Sequence, residues 1–358
     1  MRANTPRGAA ALNMTGVPQP PDYLSPEVSA DGRVTIRYHH RTAKAVWCEA
    51  DWKNGEPMAM HRDASGLWTC TTDPLAPDIY EYSLFADGAR VIDTQNRAVK
   101  NGLTSLVHVP GPRAHEARQV VHGTVHVHWY HSEIAGMERR MHVYTPPGYE
   151  SGTEHHYPVL YLFHGAGDDD SAWTQVGRLN FILDNLLAEG TVRPMVVAMP
   201  DGHVLGRNWK EDRGTKLRAF TAEFYEHVMP ETERIYRVRR NWDERAMAGL
   251  SMGGGQTIST GLTRPSLFSA FGIFSAGLWP EVAPLLEEAM PDLAANPPET
   301  LWIGIGRKDF VYEHCTRLRT ALTEGGVPFT YHEDDSSHTW RAWRDYLERF
   351  APLLFRAT

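Results

Sequence analysis

Six strand-like runs, most of them continuously apolar, recur through the later two thirds of this chain: PVLYLFHG, RPMVVAMPDG, RAMAGLS, FSAFGIFSAG, TLWIGIG and PFTYHEDD. A strand that is apolar on both faces has to be covered on both faces. The amphipathic stretches WTQVGRLNFILDNLLAEG, FTAEFYEHVMPETERIY and VYEHCTRLRTALTEGG, which lie between the runs, supply that cover. The alternation predicts an α/β fold with a mostly parallel central sheet. A pair of longer segments, VVHGTVHVHWYHSEI and RRMHVYTPPGYE, reads as a β-hairpin leading into it.

Ahead of this lies a region with a different rhythm. From residue 25 to residue 110 the runs VTIRYHH, AVWCEADW, GLWTCTT, YEYSLFADGARVID and LVHVPG are short, closely spaced and separated by turn residues, the pattern of a small β-sandwich. Asp31-Gly32 and Asp87-Gly88 read as hairpin turns. GPRAHEA, rich in Gly, Pro and charge, reads as a linker. The expected organisation is an extension at 1–24, a sandwich at 25–110, a linker at 111–119 and the α/β domain at 120–358. A length of 358 residues suits two domains at about 150 residues each.

Composition narrows the partners. Thirty-six Lys and Arg against 44 Asp and Glu leave a net charge of −8, which opposes a duplex nucleic acid or an anionic membrane surface as partner. No apolar run approaches the roughly 18 to 20 residues of a membrane-spanning helix. The opening segment has only Ala9-Ala10-Ala11-Leu12 as an apolar stretch, short of a signal-peptide core. The expectation is therefore a cytoplasmic protein, or a secreted or periplasmic one if a leader has been removed. Cys48, Cys70 and Cys315 are too few for a disulfide framework; buried free thiols are expected, with a Cys48 to Cys70 bridge as the alternative.

The chemistry-bearing motif is Gly249-Leu250-Ser251-Met252-Gly253, at the end of the run RAMAG and the start of a Gly-rich helix. A sharp strand-to-helix turn between small residues presents a serine hydroxyl at the top of a sheet, the arrangement called a nucleophile elbow. Serine needs a base to take its proton. His338 lies between the last strand-like run and the final amphipathic helix, where this topology places the base. Asp309 ends the run TLWIGIGRKD, where a carboxylate reaches the far nitrogen of the histidine. Asp201, Asp334 and Asp335 are its rivals, and a helix-capping role for Asp309 is compatible with catalysis. The backbone N–H groups of Met252 and of Ala166, in HGAGDDDSAW, are the candidate oxyanion donors. His164 in the same run reads as a loop brace.

Other signals carry less. Asp168-Asp169-Asp170 reads as a solvated loop or helix start rather than a cation site. His126 and His128 share a strand face without further ligands at zinc spacing, so no metal is expected. The GxG fragments lack a dinucleotide fingerprint, and no cofactor is implied. Trp173, Trp209, Trp279 and Trp340 lie near the catalytic edge in sequence and are candidate substrate-binding walls.

HGAGDDDSAW, VVAMPDGH, GLSMGGGQT and SHTWRAWRDYLERFAPLLF together resemble carbohydrate esterase family one of the α/β-hydrolases, which includes feruloyl, acetyl-xylan and related enterochelin esterases. The resemblance covers about residues 120–355. It implies an α/β-hydrolase fold with Ser251, Asp309 and His338 as triad and Ala166 and Met252 at the oxyanion positions. The N-terminal region is similar to the early-set immunoglobulin-like modules of carbohydrate-binding family forty-eight. Together these imply a serine esterase acting on feruloylated small molecules or oligosaccharides, with acetyl-xylan or siderophore esters as alternatives. Glycan binding by the first domain, with weak hydrolase or acyl-transfer activity in the second, is the reading from another class. Trp47, Trp52 and Trp68 are the aromatic residues that glycan binding could use.

Overall fold

A computed structural model describes residues 23–101, 103–152, 154–208 and 211–356, and the chain divides into two compact units between Pro110 and Gly111. Most of the expected extension, and Trp209, lie outside the described residues.

The first unit is built from two antiparallel sheets. Strands Val34–His39 and Leu67–Thr71 centre one, and Val46–Ala50, Asp78–Ala86 and Thr104–Val109 centre the other. Alternate residues point inward, so Val34, Ile36, Val46, Cys48, Tyr82, Leu84 and Val107 form a buried layer between the sheets, a β-sandwich. Asp87 (φ 49°) and Gly88 (φ 88°) close a two-residue hairpin. Both conformations are left-handed, as the primed turns of tight hairpins require. Cys48, Cys70 and Cys315 are buried free thiols. Trp68 is core, its indole N–H donating to the His40 carbonyl, whereas half-buried Trp47 stacks on Phe85.

The second unit contains one eight-stranded sheet. Its strands are β1 (Thr124–Ser132), β2 (Met137–Thr145), β3 (Val159–Phe163), β4 (Val196–Pro200), β5 (Arg245–Leu250), β6 (Ala270–Phe274), β7 (Thr300–Gly306) and β8 (Thr330–Asp334). They lie in the order 1-2-4-3-5-6-7-8, antiparallel for the β1–β2 hairpin and its contact with β4, and parallel from there on. β3, β4, β5 and β6 are buried along their whole length, as continuous apolar runs demand, while the edge strands β1 and β8 are partly exposed.

Helices α1 (Ala172–Gln175), α2 (Leu179–Ala188), α3 (Arg213–Glu223), α4 (Met229–Ile235), α5 (Met252–Gln256), α6 (Ala283–Ala295), α7 (Tyr312–Glu324) and α8 (Trp340–Phe350) flank the sheet. α3 and α4 are joined by one wide π-helical turn, Phe224–Val228. In α8 the residues Trp340, Trp343, Leu347 and Phe350 recur at helical spacing and are buried. α3, α6 and α7 bury Phe220, Leu286 and Leu318 in a single core against inward residues of β2 to β7. Among the described residues no helix is long and apolar enough to cross a membrane.

The segment read as a linker is instead a strap on the second unit. Arg113 pairs with Asp345 at 2.6 Å, and Arg118 pairs with Glu189. Ala114 and His115 are buried. The Asn185 amide donates to the carbonyls of Ala114 (2.7 Å) and Glu116 (2.8 Å). Backbone that is paired and buried in this way cannot serve as a free joint, whatever its Gly and Pro content.

Asn185→Leu should leave those two carbonyls without their donor, costing about 1–3 kcal/mol and speeding amide exchange across residues 113–118. Exchange there at the wild-type rate would show that the strap is held elsewhere.

Candidate active site

Ser251 stands between the end of β5 and the first residue of α5, with φ 53° and ψ −115°. Such a backbone costs of order 1–3 kcal/mol for a non-glycine residue and persists only when its surroundings hold it. Two hydrogen bonds help: the Ser251 N–H donates to the Phe274 carbonyl (2.9 Å), and the Gly255 N–H donates to the Ser251 carbonyl (3.1 Å). The turn is also too tight for side chains. A Cβ on Gly249 would meet the Gly253 carbonyl oxygen at 2.3 Å, and one on Gly253 would meet the Phe163 carbonyl oxygen at 2.6 Å. The glycines of GLSMG are thus required where β5, α5 and β3 converge.

His338, on the loop between β8 and α8, places its Nε2 2.9 Å from Ser251 Oγ. Its Nδ1 lies 2.9 Å from both carboxylate oxygens of Asp309, on the loop after β7. An ionised carboxylate only accepts, so Nδ1 carries the proton and the Nε2 lone pair faces the serine hydroxyl. Asp309 also accepts the Val311 N–H at 2.9 Å, so it fastens the start of α7 as well. Its rivals are engaged elsewhere: Asp335 with Arg307, Asp334 with the Ser336 N–H and the Tyr346 hydroxyl, and Asp201 with the His203 N–H.

Ala166 and Met252 flank the serine. Met252 opens α5, so its N–H belongs to the first turn of a helix, where backbone donors lack intrahelical acceptors. The Ala166 loop lies directly on Ser251, since a Cβ on Gly165 would sit 3.6 Å from that of Ser251. His164 braces this loop. Its Nε2 accepts the Gly202 N–H (2.8 Å), and its Nδ1 then donates to the Gly165 carbonyl (2.8 Å). The Gln256 amide donates to the Gly202 carbonyl at 3.0 Å, tying the β4 loop to α5.

The acidic run 168–170 leads into α1, as a helix start does, but it is not a solvated loop. Asp168 and Asp170 are buried, and Asp170 accepts from Nε and Nη2 of the Arg140 guanidinium, each at 2.8 Å, and faces His142 Nδ1 at 2.7 Å. Burial works against the charge of Asp170, but His142 and Arg140 outweigh it and hold its carboxyl below the usual range. Burial works against the charge of Asp201 as well, but the His203 N–H and Arg139 outweigh it and hold its carboxyl low. His126 and His128 do not share a ligand; they face Thr145 and Glu231. Among the described residues no group of three His, Cys, Asp or Glu is placed to hold a metal ion.

The tryptophans divide. Trp173 and Trp340 are core residues, packed edge to face at 5.1 Å, with the Trp173 indole N–H on the Phe163 carbonyl. They form no wall of the site. Trp279 is half-buried, lies 3.8 Å from a Cβ built on Gly255, and is packed between His314 and Arg213. Two aromatic residues that the sequence reading passed over flank the His338 ring: Phe310 at 4.4 Å and Trp343 at 5.0 Å between centroids. The only signal for Phe310 was its place immediately after Asp309.

A profile of the family described as "Putative esterase" matches residues 132–353, and the chain belongs to that family. An endo-1,4-beta-xylanase/feruloyl esterase of Xylanibacter ruminicola is 29% identical over 95% of this chain and 47% of its own length. The chain thus spans about half the length of this curated relative. A CE1 ferulic acid esterase of Anaeromyces mucronatus, solved in complex with ferulic acid, has TM-score 0.59 and 21% identity over 67% of this chain and 93% of its own. The enterobactin esterase of Shigella flexneri has TM-score 0.63 and 18% identity over 89% of this chain and 92% of its own. The two structural likenesses are of fold, and establish the α/β-hydrolase architecture.

Burial pushes the His203 imidazole down to about 4 from its ordinary 6.5. Between those values the unfolded chain binds a proton there that the folded chain refuses, so folding stability falls as pH falls through this window. His203→Asn should flatten the decline between pH 6.5 and pH 4 in denaturant titrations. An unchanged slope would contradict a neutral His203.

Proposed function

We propose that this chain is a serine carboxylic-ester hydrolase acting on hydroxycinnamoyl esters, above all feruloyl esters of plant cell-wall saccharides. The observation that carries this reading is the unbroken relay from Asp309 through His338 to Ser251, with each contact at 2.9 Å. Ser251 Oγ attacks the ester carbonyl while His338 Nε2 takes its proton. The oxyanion is received by the N–H groups of Met252 and Ala166. His338 returns the proton to the departing alcohol oxygen, leaving a Ser251 acyl-enzyme. Water, deprotonated by His338, then attacks this ester, and the acid leaves as the proton passes back to Ser251. Asp309 fixes the imidazole orientation and balances its transient charge.

The acyl group is inferred from relatives: the Xylanibacter protein carries feruloyl esterase in its name, and the Anaeromyces enzyme was solved with ferulic acid. A siderophore ester is the second reading. It is favoured by one observation, that the Shigella enterobactin esterase matches 89% of this chain, more than the second unit alone could supply. The Xylanibacter relative spans 95% at higher identity, which supports the feruloyl reading over it.

Steady-state rates on methyl ferulate, 4-nitrophenyl acetate and a cyclic catecholate triester separate the acyl classes. The ferulate ester should give the highest kcat/KM, with Ser251→Ala losing on the order of 10⁶ in kcat and Asp309→Asn on the order of 10⁴. Preference for the triester would move the assignment to siderophores. Full activity of Ser251→Ala would remove the serine mechanism.

A further inference from the structure

We propose that Phe310 is the platform for the alcohol half of the ester, so that this single side chain makes the enzyme prefer a saccharide leaving group to a bare alkyl alcohol. The inference rests on the esterase reading of Ser251, His338 and Asp309. The backbone around Phe310 is fixed at both ends: the Asp309 N–H donates to the Gly306 carbonyl (3.0 Å), and the Tyr312 N–H donates to the Asp309 carbonyl (3.1 Å). Within that turn Asp309 and Val311 point inward and are buried, while Phe310 points out and is 73% exposed. An exposed apolar side chain is unremarkable alone. This one lies against the imidazole of His338, centroids 4.4 Å apart and planes inclined by 49°.

The chemistry of His338 determines what passes beside Phe310. To collect the proton, the departing oxygen has to come within about 3 Å of Nε2, and whatever that oxygen is bonded to then lies beside any ring packed on the imidazole. Trp343 is buried and meets the imidazole edge to face at 5.0 Å, so it belongs to the core. Phe310 alone of the two offers an open aromatic face. Such a face suits the C–H-rich side of a sugar ring by apolar contact and finds nothing of that size in methanol. The acyl group stays on Ser251 after the alcohol has gone, so Phe310 acts on acylation and not on hydrolysis of the acyl-enzyme.

The test is a pair of esters with one acyl group and two alcohols, methyl ferulate and 5-O-feruloyl-arabinofuranose, hydrolysed by wild type, Phe310→Ala and Phe310→Tyr. Phe310→Ala should lower kcat/KM on the arabinose ester about tenfold more than on methyl ferulate, while Phe310→Tyr keeps the wild-type preference. The rate of acyl-enzyme breakdown, read after a burst, should be the same in all three. Equal losses on both esters, or an altered breakdown rate, would make Phe310 only a support for His338 and overturn the proposal. Unchanged kcat/KM on both would overturn it too. Hydrolysis of neither ester by wild type would instead refute the feruloyl-ester reading beneath it.

Discussion

One residue is held where an unconstrained chain would not leave it. Ser251 keeps a strained backbone because β5 arrives buried and paired on both sides, α5 departs at once, and the intervening glycines let the two meet. The central position of β5 follows from the strand order, and the strand order places the ends of β3, β4, β6 and β7 around the same point. Each neighbouring strand then contributes something at that end. β3 leads to the Ala166 loop, β6 gives the carbonyl that anchors Ser251, β7 leads to Asp309, and β8 leads to His338. Function here is a property of strand ends, as in other open parallel sheets.

A second layer of polar contacts holds the loops that strands alone leave free. His164 and Gln256 fasten the loops after β3 and β4 to each other and to α5. Asp170, buried against Arg140 and His142, locks the following turn onto β2. These groups are charged or polar and out of water, so each depends on its partner, and removal of one leaves the other unsatisfied. Under the proposed function the loops so held are those that carry the oxyanion donors, which have to be rigid before substrate arrives.

The sheet, its flanking helices, the serine turn and the two partners of that serine could be read from the chain because each has a local signature: a period, a glycine spacing, a place in topological order. Direction and distant partnership have no such signature. Trp340 follows His338 closely in sequence and Trp173 follows Ala166, yet their rings turn inward and pack on one another. Three consecutive aspartates look solvated until Arg140 and His142, on another strand, come against the last of them. The strap after residue 110 looks like a linker because its partners, Asn185, Glu189 and Asp345, are far along the chain. Phe310 was invisible for the opposite reason: its role comes from facing outward beside His338, which burial patterns do not mark.

The most direct test of the central claim, that the relay makes Ser251 the nucleophile, is covalent. An alkyl fluorophosphonate, which mimics the tetrahedral stage of acyl transfer, is incubated with the intact protein and the adduct is located by peptide mass spectrometry. The expected result is one equivalent of phosphonate on the peptide carrying Ser251, with parallel loss of esterase activity. Modification of a different residue, or loss of activity with no adduct on Ser251, would contradict the assignment.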